Sequence, residues 1–143
     1  MAKPVPDGYH TVTPYLAVAN AAEFINFVKA AFGATEMYSH KRPDGSIGHA
    51  EVKIGDSLVM IGQAGGEWKP MPAALYVYVP DCDSVYRGAI AAGGVSLAEP
   101  KDQFYGDRHG GVKDPAGNQW WIATHIEDVA PEELARRAAA SGR

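Results

Sequence analysis

His49 and Glu51, separated by one alanine, are the residues of this chain best suited to acid–base chemistry. Residues i and i+2 of a strand point to the same face, so we expect the two side chains to lie side by side. A carboxylate beside an imidazole fixes its tautomer and raises its basicity, as a general base requires. Because His–Glu pairs are common, the alternative is a solvated strand face that continues through Lys53. We favour a ligand contact for His49 over a metal-binding or general-base role.

Asp107 and Arg108 form the second polar candidate. An arginine on a strand that lines a cavity is suited to binding a carboxylate or phosphate group through two parallel hydrogen bonds. The alternative is an exposed Asp107–Arg108 ion pair that holds a hairpin and contributes little energy. The other histidines, His10, His40, His109 and His125, have no ligand spacing and are interpreted as surface or capping residues.

The elements that must position these residues occur twice along the chain. Apolar periodicity, helix caps and turn residues predict the order βαβββ over residues 11–62 and again over residues 73–125. Tyr15 and Tyr76 are 61 positions apart, and Gly33 and Gly94 have the same offset. A linker rich in glycine and proline, residues 63–72, separates the two modules, and a helix is predicted over residues 131–140. In this linker, Trp68 and Met71 are expected to cover a cavity mouth or to fill a dimer interface.

The hairpin over residues 105–121 carries the clearest family signal. Asp114-Pro115-Ala116-Gly117 has the residue types of a tight turn, and β-favouring residues flank it. Its pattern, G-D-R-x-G-x-V-x-D-P-x-G-x-x-W, resembles the second half of a vicinal oxygen chelate protein, from the glyoxalase, bleomycin-resistance and dioxygenase superfamily. His49-Ala50-Glu51 followed by Gly55-Asp56-Ser57 resembles the third-strand motif of its PhnB-like branch.

The resemblance covers residues 9–137 and implies the same paired-module architecture. The predicted fold is therefore a single α+β domain over residues 1–143. It has two tandem βαβββ modules that form mostly antiparallel curled sheets around a shared cavity, plus a C-terminal helix. The resemblance also implies a homodimer, since proteins of this superfamily commonly pair and the edge strands of the sheets need covering.

Proteins of this superfamily typically bind a divalent metal through one residue from the first strand and one from the last strand of each module. The resemblance puts these four positions at Thr13, Met60, Ala74 and Trp121. Zn²⁺, Fe²⁺ and Mn²⁺ prefer imidazole, carboxylate or thiolate ligands, and these four side chains offer none of them. The prediction is a site without metal or other cofactor, as in the bleomycin-binding proteins.

If those four positions face the cavity, strand alternation predicts an aromatic and mostly uncharged lining. Such a lining suits a flat organic ligand, with tyrosine hydroxyls to orient it. The alternative is that these rings simply fill the core of a small sheet protein. The candidate ligand-binding residues are Tyr15, His49, Met60, Tyr76, Tyr78, Arg108 and Trp121.

The predicted function is metal-free binding of a small aromatic or amphipathic molecule. The alternative is a lyase, isomerase or dioxygenase-type enzyme with a non-standard metal or base site that uses His49 and Glu51. Nucleic-acid binding is disfavoured because the net charge is −4 and no basic run occurs. No apolar stretch approaches the roughly 20 residues of a membrane span, and the N-terminus lacks the apolar core of a signal peptide. Cys82 is the single cysteine, which fits a cytoplasmic location.

Overall fold

The chain folds into two consecutive βαβββ modules followed by a third helix, in a computed structural model that describes residues 1–142. Residue 143, the last of the predicted domain, lies outside the described residues. The elements are β1 (Tyr15–Val18), α1 (Ala21–Phe32), β2 (Thr35–Lys41), β3 (Ile47–Ile54), β4 (Ser57–Gln63), β5 (Ala74–Tyr78), α2 (Cys82–Ala91), β6 (Val95–Asp102), β7 (Asp107–Lys113), β8 (Gln119–His125) and α3 (Pro131–Ala140).

Each module contributes one four-stranded sheet, with the strand orders β1-β4-β3-β2 and β5-β8-β7-β6. Only the pairs β1–β4 and β5–β8 are parallel, and the remaining pairs are antiparallel. The predicted α+β class and the tandem modules are confirmed. β1 begins at Tyr15 rather than at Thr11, because Pro14 has no amide hydrogen to donate and contributes only its carbonyl, which accepts from Met60.

The helices begin and end at residues with specific capping chemistry. Asn20 accepts from the Glu23 amide at the start of α1, and Asp81 accepts from the Ser84 amide at the start of α2. Gly33 ends α1 in the left-handed conformation, with φ of +65°. α3 begins with Pro131 and buries no side chain completely. Within residues 1–142, no helix combines the length and the apolar character needed to cross a membrane.

The β7–β8 hairpin is organised by the buried carboxylate of Asp114. It accepts hydrogen bonds from the Ala116 amide at 2.8 Å, the Asn118 amide at 3.0 Å and the Asn118 side chain at 3.1 Å. A fourth bond, 2.8 Å long, comes from Nε1 of Trp120. Asn118 in turn accepts from the Ala73 amide at 2.8 Å, just before β5 begins. One turn therefore fixes the orientation of the Trp120 indole and the position of the neighbouring strand.

Trp120 also joins the two modules. Its indole lies 1% exposed on the helix-facing side of β8 and contacts Phe32 and Phe24 of α1, at ring-centroid distances of 4.7 Å and 6.3 Å. Helices α1 and α2 also pack against each other. The two modules consequently share one hydrophobic core, which lies on the helix-facing sides of both sheets.

The opposite faces of the sheets, which were predicted to line a shared cavity, are open within one chain. Tyr15 is 49% exposed, Tyr76 is 42% exposed and Tyr78 is 62% exposed. These rings therefore do not fill the core, which removes that alternative for the tyrosines. A closed cavity between the two faces stays a prediction.

We predict that Asp114→Ala lowers the free energy of unfolding by about 3 kcal/mol or more, because several buried donors lose their acceptor at once. Chemical denaturation monitored by tryptophan fluorescence measures the change. Asp44→Ala is the matched control, since Asp44 accepts from the Ser46 amide and hydroxyl in an exposed hairpin turn. An Asp114→Ala protein as stable as the Asp44→Ala protein would contradict the role given to this carboxylate.

Candidate functional site

The open face of the first sheet, here called the first aromatic face, is formed by Tyr15, His49, Glu51, Met60 and Trp68. Tyr15 and Glu51 are the register partners of Met60 on either side of β4. His49 pairs with Gly62, one residue pair along the same strands. The sequence-based prediction that His49 and Glu51 share a strand face is met, and the sheet brings Tyr15 and Met60 beside them.

His49 connects the polar groups of the first aromatic face. Its Nε2 lies 3.0 Å from Oε2 of Glu51, and its Nδ1 lies 3.4 Å from the Tyr15 hydroxyl. An ionised carboxylate only accepts hydrogen bonds, so Nε2 is the donor. In the neutral imidazole, Nδ1 then carries the lone pair that faces Tyr15. The Tyr9 hydroxyl donates to the second oxygen of Glu51.

Trp68, from the linker between the modules, packs over this face. Its ring centroid lies 5.9 Å from that of Tyr15. A Cβ atom at Gly62 would come within 2.5 Å of the Trp68 ring and 2.6 Å of the Tyr15 hydroxyl, so glycine lets both rings lie where they do. The small side chain of Ala17, the register partner of Gly62, adds to the space that this indole uses.

The open face of the second sheet, the second aromatic face, is formed by Tyr76, Tyr78, Asp107, His109 and Trp121. The carboxylate of Asp107 is buried, with the residue 3% exposed. It accepts from the Tyr76 hydroxyl at 2.8 Å, the Tyr78 hydroxyl at 2.9 Å and Nδ1 of His125 at 2.8 Å. One buried charge thus holds both phenols in place.

The electrostatics of this cluster keep the phenols protonated. Burial alone would raise the pKa of Asp107, but the hydrogen bonds from His125, Tyr76 and Tyr78 outweigh it, so its pKa is lowered. Burial, with hydrogen bonds to Tyr105 and Asp107, raises the pKa of Tyr76 well above its ordinary value. The hydrogen bond to Asp107 likewise raises the pKa of Tyr78. Asp107 is therefore an ionised acceptor and both tyrosines are donors.

The two faces share a tyrosine–histidine pair in equivalent positions. Tyr15 and Tyr76 have the same place in their sheets, as do His49 and His109. The ring centroids lie 5.7 Å apart in both pairs. The Tyr76 hydroxyl lies 3.1 Å from Nδ1 of His109, which matches the contact between Tyr15 and His49.

The two aromatic faces differ in the residue at the position that Glu51 occupies in the first module. The equivalent residue of the second module is Gly111, the register partner of Trp121. A Cβ atom at Gly111 would come within 2.5 Å of the Trp121 ring, so the indole occupies the space of the missing side chain. The first face therefore has a half-buried carboxylate beside its histidine, and the second has an indole there.

Arg108 does not lie with the other predicted ligand-binding residues. It points to the helix-facing side of β7, where its Nε and Nη2 donate to Asp83 at 2.8 Å and 3.0 Å. Its Nη1 donates to Asp102 at 3.1 Å. The hydrogen bonds that Arg108 donates to Asp83 lower the pKa of the Asp83 carboxyl to about 2. The predicted exposed pair between Asp107 and Arg108 is wrong, because strand alternation separates them and Asp107 is buried.

Several residues of the two faces were not recognised as site residues in the sequence. The sequence predicts surface or capping roles for His109 and His125, yet His109 contacts Tyr76 and Tyr105, and His125 bonds Asp107 and Asp128. Alternation from Asp107 along β7 would have placed His109 on the face of Trp121. Tyr9 carries no comparable signal, because it precedes the first strand.

The four positions of the family's metal site do not fit a metal ion. Met60 and Trp121 lie on the open faces, Ala74 is exposed at the start of β5, and Thr13 precedes β1. A thioether, an indole, a methyl group and a hydroxyl are poor ligands for the divalent metals concerned. Over residues 1–142, histidine, cysteine and acidic side chains nowhere form a group of three that is arranged for a metal.

A concavity of about 790 Å³ lies outside the centre of both aromatic faces. It lies beside the outer edge of β5, between the two modules, and Phe32, Ile54, Leu75, Val77 and Trp120 contribute to its mainly apolar wall. Tyr76 and Tyr78 also border it, so it adjoins the second aromatic face.

We predict that Asp107→Asn lowers the pKa of His125, which hydrogen bonds to Asp107 and Asp128 raise in the folded chain. Histidine titration by NMR measures the pKa. The interaction of His125 with Asp107 stabilises the folded state fully below the unfolded histidine pKa of about 6.5. This stabilisation is lost as the pH rises through the pKa of His125 in the folded chain. Asp102→Asn, which removes a carboxylate on the other face, is the control. An equal His125 pKa in all three proteins would contradict the assignment.

Comparisons with known proteins agree with this architecture. Residues 9–122 match the family model described as the glyoxalase/bleomycin resistance protein/dioxygenase superfamily. An uncharacterised protein of Mycobacterium bovis is 30% identical over 142 residues, which cover 92% of this chain and 93% of that protein. An uncharacterised protein of Mycobacterium tuberculosis H37Rv is also 30% identical, with 92% and 84% covered.

Solved structures with the same fold include TioX from Micromonospora sp. ML1, with a TM-score of 0.71 and 22% identity over 82% of this chain and 99% of that one. A PhnB protein from Bacillus cereus, titled a putative 3-demethylubiquinone-9 3-methyltransferase, has a TM-score of 0.64 and 19% identity, covering 80% and 99%. At these identities the likeness concerns the fold alone.

Proposed function

Because the chain belongs to the glyoxalase/bleomycin resistance protein/dioxygenase superfamily, we propose that it binds a small aromatic or amphipathic molecule against its aromatic faces, without a metal ion. The observation that carries the proposal is the exposure of three tyrosine rings, Tyr15, Tyr76 and Tyr78, whose hydroxyls all lie within reach of polar partners. The Tyr76 and Tyr78 rings are neighbours, and contiguous exposed apolar surface commonly marks a binding site.

The second aromatic face is preorganised for stacking. Asp107 holds the Tyr76 and Tyr78 hydroxyls, and the two rings lie 5.3 Å apart between centroids. Trp121 extends the same surface and lies 5.3 Å from the ring of His109. Rings that are already ordered lose little conformational entropy when a planar ligand stacks on them. Binding without metal is supported by the poor donor set at Thr13, Met60, Ala74 and Trp121.

We propose a homodimer in which a second copy of the chain covers the open faces and completes the cavity. β5 is an edge strand that pairs on one side only, whereas the outer edge of β1 is bridged by Met71 of the linker, whose amide donates to Ala17. The apolar groove beside β5 is bordered by Leu75 and Val77, which are half-buried. Unpaired apolar edges favour association with another strand. A cytoplasmic location is part of the same proposal, supported by Cys82, a buried and unpaired thiol.

We predict that Tyr76→Ala and Trp121→Ala each weaken binding of planar aromatic probes by about tenfold or more, because each removes a stacking surface. Ligand-observed NMR with naphthalene carboxylates as the probes gives the affinities, and circular dichroism verifies the fold. Tyr86→Phe is the control, since Tyr86 bonds Ser96 on the helix-facing side. Unchanged affinity in both alanine variants would contradict a site on the second aromatic face.

A second candidate function, proton transfer by an isomerase or lyase, is favoured by the contacts of His49. Glu51 accepts from one imidazole nitrogen, and the other faces the Tyr15 hydroxyl. This order of carboxylate, imidazole and hydroxyl is suited to accepting a proton from a bound substrate. The histidine is 30% exposed in its side chain, so a small molecule can reach it.

The number of metal ions bound per chain distinguishes metal-free ligand binding and metal-free proton transfer from a metalloenzyme. After incubation with Zn²⁺, Mn²⁺, Fe²⁺ or Ni²⁺ and desalting, we predict far less than one metal per chain by elemental mass spectrometry, because the donor set is poor. About one metal per chain that is lost in His49→Ala would contradict metal-free binding and would favour the enzyme with a non-standard site. His10→Ala, which alters a histidine before β1, is the control.

A further inference from the structure

The segment before the first strand, residues 1–13, contacts the first aromatic face through Tyr9. Tyr9 is half-buried, whereas Gly8 and His10 on either side of it are exposed. Its hydroxyl donates to Oε1 of Glu51. In the described structure, the other hydrogen bonds of residues 1–13 are local, such as Lys3 to Asp7 and the Tyr9 amide to Pro6.

Glu51 presents an acceptor that a ligand can use. Its Oε2 accepts from His49, and Oε1 is left for a donor from outside the sheet. Its side chain is 23% exposed. The carboxylate of the second face differs, because Asp107 is nearly fully buried and already accepts from Tyr76, Tyr78 and His125. Glu51 is thus the accessible carboxylate of the two.

We propose that Oε1 of Glu51 is a subsite for an aryl hydroxyl group of the ligand, and that Tyr9 occupies this subsite until the ligand displaces it. The inference rests on the proposed function, since it assigns a chemical class to the ligand of the same faces. The phenol of Tyr9 is itself an aryl hydroxyl. Its bond to Glu51 demonstrates the complementarity of the subsite to that group.

Displacement of Tyr9 from Glu51 costs little free energy. Residues 1–13 pair with no strand in the described structure, and most of their side chains are exposed. A ligand phenol replaces the Tyr9 hydrogen bond with one of the same kind, so little hydrogen-bond energy is lost in the exchange. Tyr9 nevertheless competes with the ligand for Oε1 of Glu51. The apparent affinity for the ligand is therefore the intrinsic affinity multiplied by the fraction of protein molecules in which the subsite is vacant.

The test compares p-cresol, which reproduces the Tyr9 side chain, with 4-methylanisole, in which the hydroxyl proton is replaced by a methyl group. Both are titrated by NMR into the wild-type protein and into Tyr9→Ala, His10→Ala and Tyr9→Ala/Glu51→Leu, whose leucine has no hydrogen-bond acceptor. We expect Tyr9→Ala to bind p-cresol about tenfold more tightly than wild type, with shifts centred on His49. His10→Ala should behave as wild type, and the double variant should lose the preference for p-cresol.

Three results would overturn the proposal, and they are distinguishable. If both probes bind equally well to wild type and to Tyr9→Ala, the aryl-hydroxyl subsite is wrong while aromatic binding stands. If neither probe binds to any of the four proteins, the aromatic-binding function fails together with the subsite. A gain for p-cresol in Tyr9→Ala that persists in the double variant would remove Glu51 from the site.

Discussion

The buried carboxylate of Asp114 is the constraint on which the arrangement of the two modules depends. Its four hydrogen bonds close the β7–β8 turn and hold the Trp120 indole, and that indole is the ring that packs against α1 of the other module. Asn118, in the same turn, anchors the chain at Ala73 just before β5. A short turn motif thus determines how the second sheet meets the first module, and through this contact which sheet faces stay open.

The open faces carry the same pair of functional groups in different electrostatic settings. In the first, the histidine of the pair bonds a half-buried carboxylate, Glu51, and its other nitrogen faces Tyr15. In the second, the tyrosine of the pair donates to a buried carboxylate, Asp107. The first setting orients the imidazole so that its second nitrogen faces Tyr15, and the second keeps the Tyr76 phenol protonated, because burial and Asp107 raise its pKa. The two faces are therefore suited to complementary roles toward one ligand, as acceptor and as donor.

The fold was largely predictable from the sequence because local signals agreed along the chain. Asn20, Gly33 and the Asp114 turn each specify an element end by their own chemistry, and the 61-residue offset places the second module. The site was only partly predictable. His49 and Glu51 follow from alternation on one strand, whereas the contact of Tyr9 with Glu51 depends on the path of an irregular segment. The partners of Arg108 lie on α2 and β6, and no spacing along β7 reveals them.

The space-filling relation between Gly111 and Trp121 has a consequence for the history of the repeat. If the two modules descend from one ancestral unit, the step from a Glu51-like residue to Gly111 and the step from a Met60-like residue to Trp121 were not independent. A carboxylate side chain at position 111 requires the indole to move, since even a Cβ atom would lie 2.5 Å from it. The two substitutions form an epistatic pair in which the order of change matters, since the side chain at position 111 is lost before the indole is gained. Change at these two positions of the second face was in that sense coupled through the space that they share.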